Sequence, residues 1–193
     1  MWVRQSAIRP VPAYARVSAY TIEAVRESLM LEDDDVRAEL DDAFERFERT
    51  QPALAGRVAE MLNEPLDETA LALGYFLTIA VWLAFERAYG GDMDEVTDSE
   101  IDATVELLEL DEELRRSDPR ETLDSDDVIG MEQPNLLEFL HEHIDATLDV
   151  RNEEVDVDDV HAVYRLVLVE LLALSYAVRP PAGYPAFKSE ALA

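Results

Sequence analysis

Two acid–histidine pairs give the sequence its most specific chemical spacing. Glu138 lies three residues before His141, and Asp158 lies three residues before His161. Residues three apart share one face of a helix, and pairs of this kind on facing helices hold the metals of di-iron bundles. Such a site also needs carboxylates from two further helices, and 44 acidic residues make the spacing common by chance. We therefore predict surface histidines and no metal site.

Other motifs that carry chemistry are incomplete or missing from the sequence. The acidic run from Asp92 to Glu100 suggests a calcium loop, but Thr97 stands where that loop needs glycine and Ala103 where it needs glutamate. The sequence has no cysteine, which excludes disulfides, thiolate metal sites and a cysteine nucleophile. No glycine-rich phosphate loop or Gly-x-Ser-x-Gly elbow is present. We assign no catalytic, cofactor-binding or metal-binding residue.

One carboxylate, Glu170, lies among apolar residues in the helical pattern. Its neighbours one turn away on the same face are Leu166, Val167, Ala173 and Leu174. Two interpretations follow: a base or ligand in a pocket, with a pKa shifted by its environment, or a structural carboxylate in the core. We favour the structural interpretation because ion pairs in a core also shift pKa values.

Gly74 indicates where the two most apolar helices come closest. Glycine in a helix interior costs about 1 kcal/mol relative to alanine, and a close helix contact is a natural reason to retain it. We expect the helices to cross there, so that Glu170 meets Thr78 or an arginine such as Arg57 or Arg87.

The excess of acidic residues limits the partners that the chain can bind. There are 44 acidic and 16 basic residues, the formal net charge is −28, and Lys188 is the only lysine. Such a charge repels nucleic-acid phosphates and anionic membranes, because binding either requires a basic patch. We expect no nucleic acid and no membrane as partner. Three explanations for the acidity stay open: solvation, including solvation in a salty cytoplasm, which we favour; attraction to a basic protein; and mimicry of nucleic acid.

Composition and capping signals predict an all-helical chain. Glycine is scarce, with 6 residues, whereas alanine, leucine and glutamate, which favour helices, are abundant. Asp67 can cap a long apolar helix that ends at Gly90. Thr97 and Glu100 form a capping box for a helix over 98–116, with Ile101, Val105 and Leu108 inside.

Five further helices follow from apolar periodicity and proline positions. They begin at Ser18 or Thr21, at 33–35 and at Gln51-Pro52, and they run over 134–148 and 158–178. Thr50 is predicted to cap the helix that begins at Gln51-Pro52, since proline is tolerated in a first turn. The segment 117–131 is predicted to be polar and irregular, with at most one helical turn.

The longest uncharged stretch predicts a buried helix. It runs over 70–85, between Glu68 and Glu86, and stops short of the roughly 20 apolar residues that cross a bilayer. Residues 1–5 lack the apolar segment of a secretory signal. We therefore predict a cytoplasmic protein with 70–85 at its centre.

A recurring dipeptide predicts an internal repeat. Gln51-Pro52 precedes Leu54 as Gln133-Pro134 precedes Leu136, at an offset of 133 − 51 = 82 residues, and a longer apolar helix follows each copy. The pattern predicts a pseudo-twofold array of two three-helix units plus an amino-terminal helix, with the two most apolar helices at the centre.

Together these patterns predict an all-α fold of about seven helices. We expect one domain over 1–179, with repeat one over about 34–90 and repeat two over about 98–179. The tail, 180–193, should be extended or disordered because Pro180-Pro181 prevent the last helix from continuing.

No motif identifies a function. Our leading hypothesis is a soluble, non-catalytic module that binds another protein, or itself, through an exposed apolar groove or its acidic face. The alternative is a small-ligand-binding protein or enzyme with a pocket between the two repeats, lined by Glu170 and by Tyr75, Tyr164 or the histidines. We predict no cofactor.

Overall fold

The computed structural model describes residues 6–29, 33–117, 124–151 and 155–184, and this part of the chain forms eight helices without a β-sheet. The predicted all-α class is therefore confirmed. The helices are α1 (Ala19–Leu29), α2 (Asp33–Thr50), α3 (Pro52–Leu62), α4 (Glu68–Tyr89), α5 (Asp98–Ser117), α6 (Ser125–Glu132), α7 (Pro134–Arg151) and α8 (Val157–Ala177).

The predicted caps delimit α4 and α5. The Asp67 carboxylate accepts hydrogen bonds of 2.8 and 3.1 Å from two backbone N–H groups in the first turn of α4. Gly90 follows α4 with φ of +49°, a conformation that favours glycine. Thr97 N–H donates to the Glu100 carboxylate at 2.8 Å, and Glu100 N–H donates to the Thr97 hydroxyl at 3.4 Å. The capping box therefore forms at the start of α5.

Two local predictions are wrong. Thr50 does not cap α3, because it ends α2 and its hydroxyl donates to the Arg46 carbonyl at 2.9 Å. The segment 117–131 is not irregular over its second half, where α6 forms. Asp124 and Asp127 build a capping box for α6, each carboxylate accepting the other's N–H. Residues 118–123 lie outside the described residues.

The long helices α4 and α8 pack against each other and form the centre of the core. Residues 77–85 of α4 and 167–175 of α8 are buried without a break, as expected of helices that are apolar all round. A Cβ atom at Gly74 would overlap the Val163 Cγ1 atom of α8. The close approach predicted at Gly74 is thus confirmed.

Both central helices are also long and apolar enough to cross a membrane. The segments are Glu68–Asp92 and Val157–Ala177, the first being longer than the uncharged stretch 70–85 that the sequence singles out. Of the most apolar window, 67% is buried in the first segment and 61% in the second. Core helices of soluble proteins meet the same criterion, so this is weak evidence for a membrane span.

Two buried glutamines hold extended segments in the same way. The Gln51 amide donates to the Asp94 carbonyl at 3.0 Å and accepts from Val96 N–H at 2.8 Å. The Gln133 amide donates to the Ala15 carbonyl at 2.7 Å and accepts from Val17 N–H at 3.0 Å. Each side chain therefore binds the first and third residues of a segment that leads into a helix, α5 or α1 respectively.

The predicted internal repeat is not confirmed and stays a prediction. The matched contacts of Gln51 and Gln133 agree with it, but 34–90 contains three helices and 98–179 contains four.

In the predicted tail, Tyr184 packs edge-on against Tyr14, with ring centroids 4.7 Å apart. Residues 1–5 and 185–193 lie outside the described residues.

Candidate functional site

Glu170 lies in the centre of the core, as the sequence predicts. Its side chain is 2% exposed, and among the described residues neither carboxyl oxygen has a partner with hydrogen-bond geometry. Two groups of α4, the Thr78 hydroxyl and the Trp82 indole N–H, are buried and unpaired as well. Burial raises the pKa of Glu170 well above its usual range, and the Thr78 hydroxyl opposes only part of this shift. Burial therefore favours the protonated form of Glu170.

The arginines proposed as partners of Glu170 bind elsewhere. The Arg57 guanidinium pairs with Asp102 of α5, and the Arg87 guanidinium donates to the Ala24 carbonyl of α1. Of the partners predicted for Glu170, the Thr78 hydroxyl is the one that the structure places beside it, and the arginines are not. None of the five principal surface depressions of the described chain is lined by Glu170.

The structure brings His141 and Tyr164 together with a residue that the sequence analysis missed. The Tyr164 hydroxyl donates to the Asp126 carboxylate at 2.8 Å and lies 2.8 Å from His141 Nε2. Burial and the Asp126 carboxylate raise the pKa of Tyr164, so the phenol keeps its proton. Because that proton points to Asp126, His141 Nε2 must be the donor to the phenol oxygen. The three groups come from α6, α7 and α8.

The acid–histidine pairs lie on exposed or half-exposed parts of α7 and α8. Glu138 is exposed. Asp158 and His161 line an open depression of about 480 Å³, which Tyr164 and Arg165 also line. Among the described residues, no three His, Cys, Asp or Glu side chains are placed to hold a metal ion.

Tyr75, which the sequence analysis named as a possible pocket residue, packs against Phe44 of α2, with ring centroids 5.5 Å apart.

α5 carries a second apolar stripe beside the one that faces the core. The inward stripe is buried and consists of Ile101, Thr104, Leu108 and Asp111. The second consists of Ala103, Leu107, Leu110 and Leu114, and we call it the α5 seam. Leu110 is 47% exposed and Leu114 is 38% exposed. Since 100° separates successive residues, the seam lies on a neighbouring face of the helix and extends over about three turns.

Three residues of the α5 seam, Ala103, Leu107 and Leu110, form one side of a groove of about 590 Å³, and Leu114 lies beyond its lining. The opposite wall is the end of α8, where Ala173, Tyr176 and Ala177 line the groove. The Arg9 guanidinium lies 4.3 Å from the centroid of the Tyr176 ring, and the Tyr176 hydroxyl donates to the Arg9 carbonyl at 2.8 Å. This wall is held in place by both contacts, so the groove is preformed.

Acidic side chains border the groove. Glu100 and Glu106 line it, and Glu113 lies one heptad beyond Glu106 along the same edge of α5. Neither Glu106 nor Glu113 takes part in an ion pair within the described chain, in contrast to Glu112, which pairs with Arg165 at 2.6 Å. The site thus combines an exposed apolar strip with two glutamates, Glu106 and Glu113, that have no ion-pair partner in the described chain, while the Arg9 guanidinium lines the groove near Glu100.

The sequence analysis overlooked the α5 seam because Ile101, Val105 and Leu108 already account for one buried face. The signal was present: apolar residues at 103, 107, 110 and 114 follow the alternating spacing of four and three residues that coiled coils use. A single helix can carry two such stripes, and only packing shows which one is covered.

Comparison with known proteins does not assign the chain to a family. No protein-family model matches it, and no curated protein or solved structure is significantly similar to it.

Proposed function

We propose that this protein is a cytoplasmic, non-catalytic module that binds another protein through the α5 seam. The observation that carries the proposal is the exposure of Leu110 and Leu114 in line with Leu107, beside a preformed groove. Single exposed leucines are ordinary, but an aligned set at helical spacing is typical of a surface that packs on a partner helix. Full burial of an exposed leucine gives about 1.5–3 kcal/mol, and Leu110 and Leu114 are 47% and 38% exposed, so each can contribute part of that amount to an interface that also covers the groove.

A capture experiment tests this function. The protein and its Leu110→Gln, Leu114→Gln double variant are immobilised and exposed to lysate of the native cells. We expect a protein that the wild type retains and the double variant does not. Circular dichroism and a thermal melt control for folding, which these exposed positions should leave unchanged. Retention of the same proteins by both forms would contradict the proposal.

A second candidate function is the binding of a small ligand, and one observation supports it. The depression lined by His161, Tyr164 and Arg165 presents both donors and acceptors beside the hydrogen-bonded group of His141 and Asp126. A metabolite screen by thermal shift tests this function. A compound that raises the melting temperature saturably, and does so less with Tyr164→Phe, would replace protein binding as the leading function, provided the capture experiment finds no partner.

A further inference from the structure

The α5 seam has the register of one strand of a coiled coil. Spacings of four, three and four residues place Ala103 and Leu110 at d positions and Leu107 and Leu114 at a positions. In the same register Glu106 and Glu113 both fall at g, the position whose charge selects the partner helix. Their spacing of seven residues aligns them along a single edge of the seam.

The other edge of the seam is already occupied. Thr104 and Asp111, which fall at e, are buried, and the Thr104 hydroxyl donates to the Glu100 carbonyl at 2.7 Å. The Asp111 carboxylate accepts hydrogen bonds from the Ser6 hydroxyl at 2.6 Å and the Ser125 hydroxyl at 2.8 Å. Along α5, a partner helix therefore meets charge at the edge formed by Glu106 and Glu113, whereas the opposite wall of the groove carries the Arg9 guanidinium, stacked on Tyr176.

The charge of that edge disfavours an acidic partner, including a second copy of the chain. Glu106 and Glu113 have no cation of this chain within ion-pairing distance in the described structure, whereas the nearby Asp102 is paired with Arg57. A second copy of the chain would bring further glutamates to the same seam and oppose a net charge of −28 with another of the same sign. A helix with basic residues would instead supply the missing cations.

We propose that the α5 seam binds an amphipathic basic helix of another protein. That helix has leucine or isoleucine at its a and d positions and lysine or arginine at seven-residue intervals, facing Glu106 and Glu113. The large apolar side chains of the partner enter the groove between the seam and Tyr176, where the small residues Ala103 and Ala173 leave room. This inference rests on the proposed function and specifies the chemistry of the partner.

Designed peptides test the inference directly. The probe is a fluorescent helix of about three heptads with leucine at a and d and lysine at e and g. A matched peptide carries glutamate at the same e and g positions, and a third keeps the lysines but scrambles the leucines. Fluorescence anisotropy measures their binding to the wild type, to the Leu110→Gln, Leu114→Gln variant and to the Glu106→Gln, Glu113→Gln variant. A Glu23→Gln, Glu27→Gln variant removes the same charge from the exposed face of α1.

We expect only the lysine peptide with ordered leucines to bind. The leucine variant should weaken binding about tenfold or more, because two apolar contacts are lost. The Glu106→Gln, Glu113→Gln variant should weaken it about threefold to tenfold and reduce its dependence on salt, whereas the α1 control should change it by less than about twofold.

Each contrary result overturns a defined statement. If the glutamate peptide binds as tightly and the leucine variant still abolishes binding, the partner is not basic, although the seam remains a binding site. If the scrambled peptide binds as well and the leucine variant has no effect, the seam itself fails and the proposed function fails with it. If no peptide binds, the basic helix is excluded as the partner. If the wild type forms a dimer in sedimentation and the leucine variant does not, the partner is a second copy of the chain and not a basic helix.

Discussion

Glu170 shows how a single residue sets a property of the whole core. Its carboxyl group, the Thr78 hydroxyl and the Trp82 indole N–H are all buried without hydrogen-bond partners among the described residues. Each unsatisfied buried polar group costs about 1–3 kcal/mol, and a buried charge would cost considerably more. Burial therefore favours the protonated form of Glu170 in the folded protein, whereas the unfolded chain releases the proton above the ordinary pKa of glutamate.

This difference predicts a pH dependence of stability. Because burial raises the pKa of Glu170 in the folded state from 4.5, its contribution is complete below that pH and is lost as pH rises toward the folded pKa. Relative to Glu170→Gln, the wild type should lose about 1.4 kcal/mol of unfolding free energy per pH unit above about pH 4.5. Urea unfolding of both proteins at several pH values measures this. Parallel curves would show that Glu170 does not titrate as proposed.

The burial of Glu170 could be predicted from sequence, but its surroundings could not. The apolar residues one turn before and after it on α8 are local information. Its supposed partners Arg57 and Arg87 instead bind groups 45 and 63 residues away in the sequence. Pairing at such separations is decided by how the helices pack, which composition and periodicity do not specify.

At the scale of elements, Gly74 fixes the distance between α4 and α8. Gly74→Ala would gain about 1 kcal/mol of helix propensity, but the new methyl group meets a stiff β-branched side chain, Val163. We expect a net loss of about 1–3 kcal/mol in unfolding free energy. Gly56→Ala in α3 is the matched control, because its Cβ would meet nothing within 4 Å. It should gain up to about 1 kcal/mol.

Denaturant unfolding of the two glycine variants measures the difference. Equal stability of Gly74→Ala and Gly56→Ala would mean that α4 and α8 do not depend on this contact.

Gln133 joins the amino-terminal segment to α7 and α8. Its buried amide binds the Ala15 carbonyl, Val17 N–H and the Ser175 hydroxyl, the last at 2.9 Å. Gln133→Leu should lower the unfolding free energy by about 2–5 kcal/mol because these groups lose their partner in the core. The exposed Asn63→Leu, which removes only a bond to its own helix, should cost less than about 1 kcal/mol. Comparable losses would contradict the role assigned to Gln133.

The sequence allowed most elements to be predicted, but α6 was missed. α6 is only eight residues long, and its position depends on contacts from elsewhere in the chain. Ser125 donates to Asp111 of α5 at 2.8 Å, and Asp126 accepts from Tyr164 of α8. The α5 seam was missed for a different reason. Its apolar spacing is visible in the local sequence, but whether that face is exposed depends on how the helices pack.

For the molecule as a whole, the dominant quantity is its charge. With 44 acidic and 16 basic residues, most carboxylates have no cation to pair with. Several arginines are already engaged in ion pairs, as Arg46 is with both Asp42 and Glu86. Repulsion among the remaining carboxylates opposes the compact state and is screened by salt.

We therefore expect the melting temperature to rise continuously from low salt to about 1 M, where the screening length falls to about 3 Å. Micromolar divalent metals should leave it unchanged, because screening does not depend on a specific site. A thermal melt across a salt series, with and without metals, is the measurement. A flat salt response would contradict self-repulsion, and a large metal effect abolished by His141→Ala would indicate a metal site.

The bonds of Gln133 also constrain the order in which the protein can be completed during synthesis. Val17 N–H and the Ala15 carbonyl bind a side chain that is 116 and 118 residues further along the chain. The segment before α1 leaves the ribosome early, but the amide that receives it emerges only after α5 and α6. Until then the two hydrogen bonds that fix this segment to Gln133 cannot form. The segment around Ala15 and Val17 is thus made well before the residue that secures it.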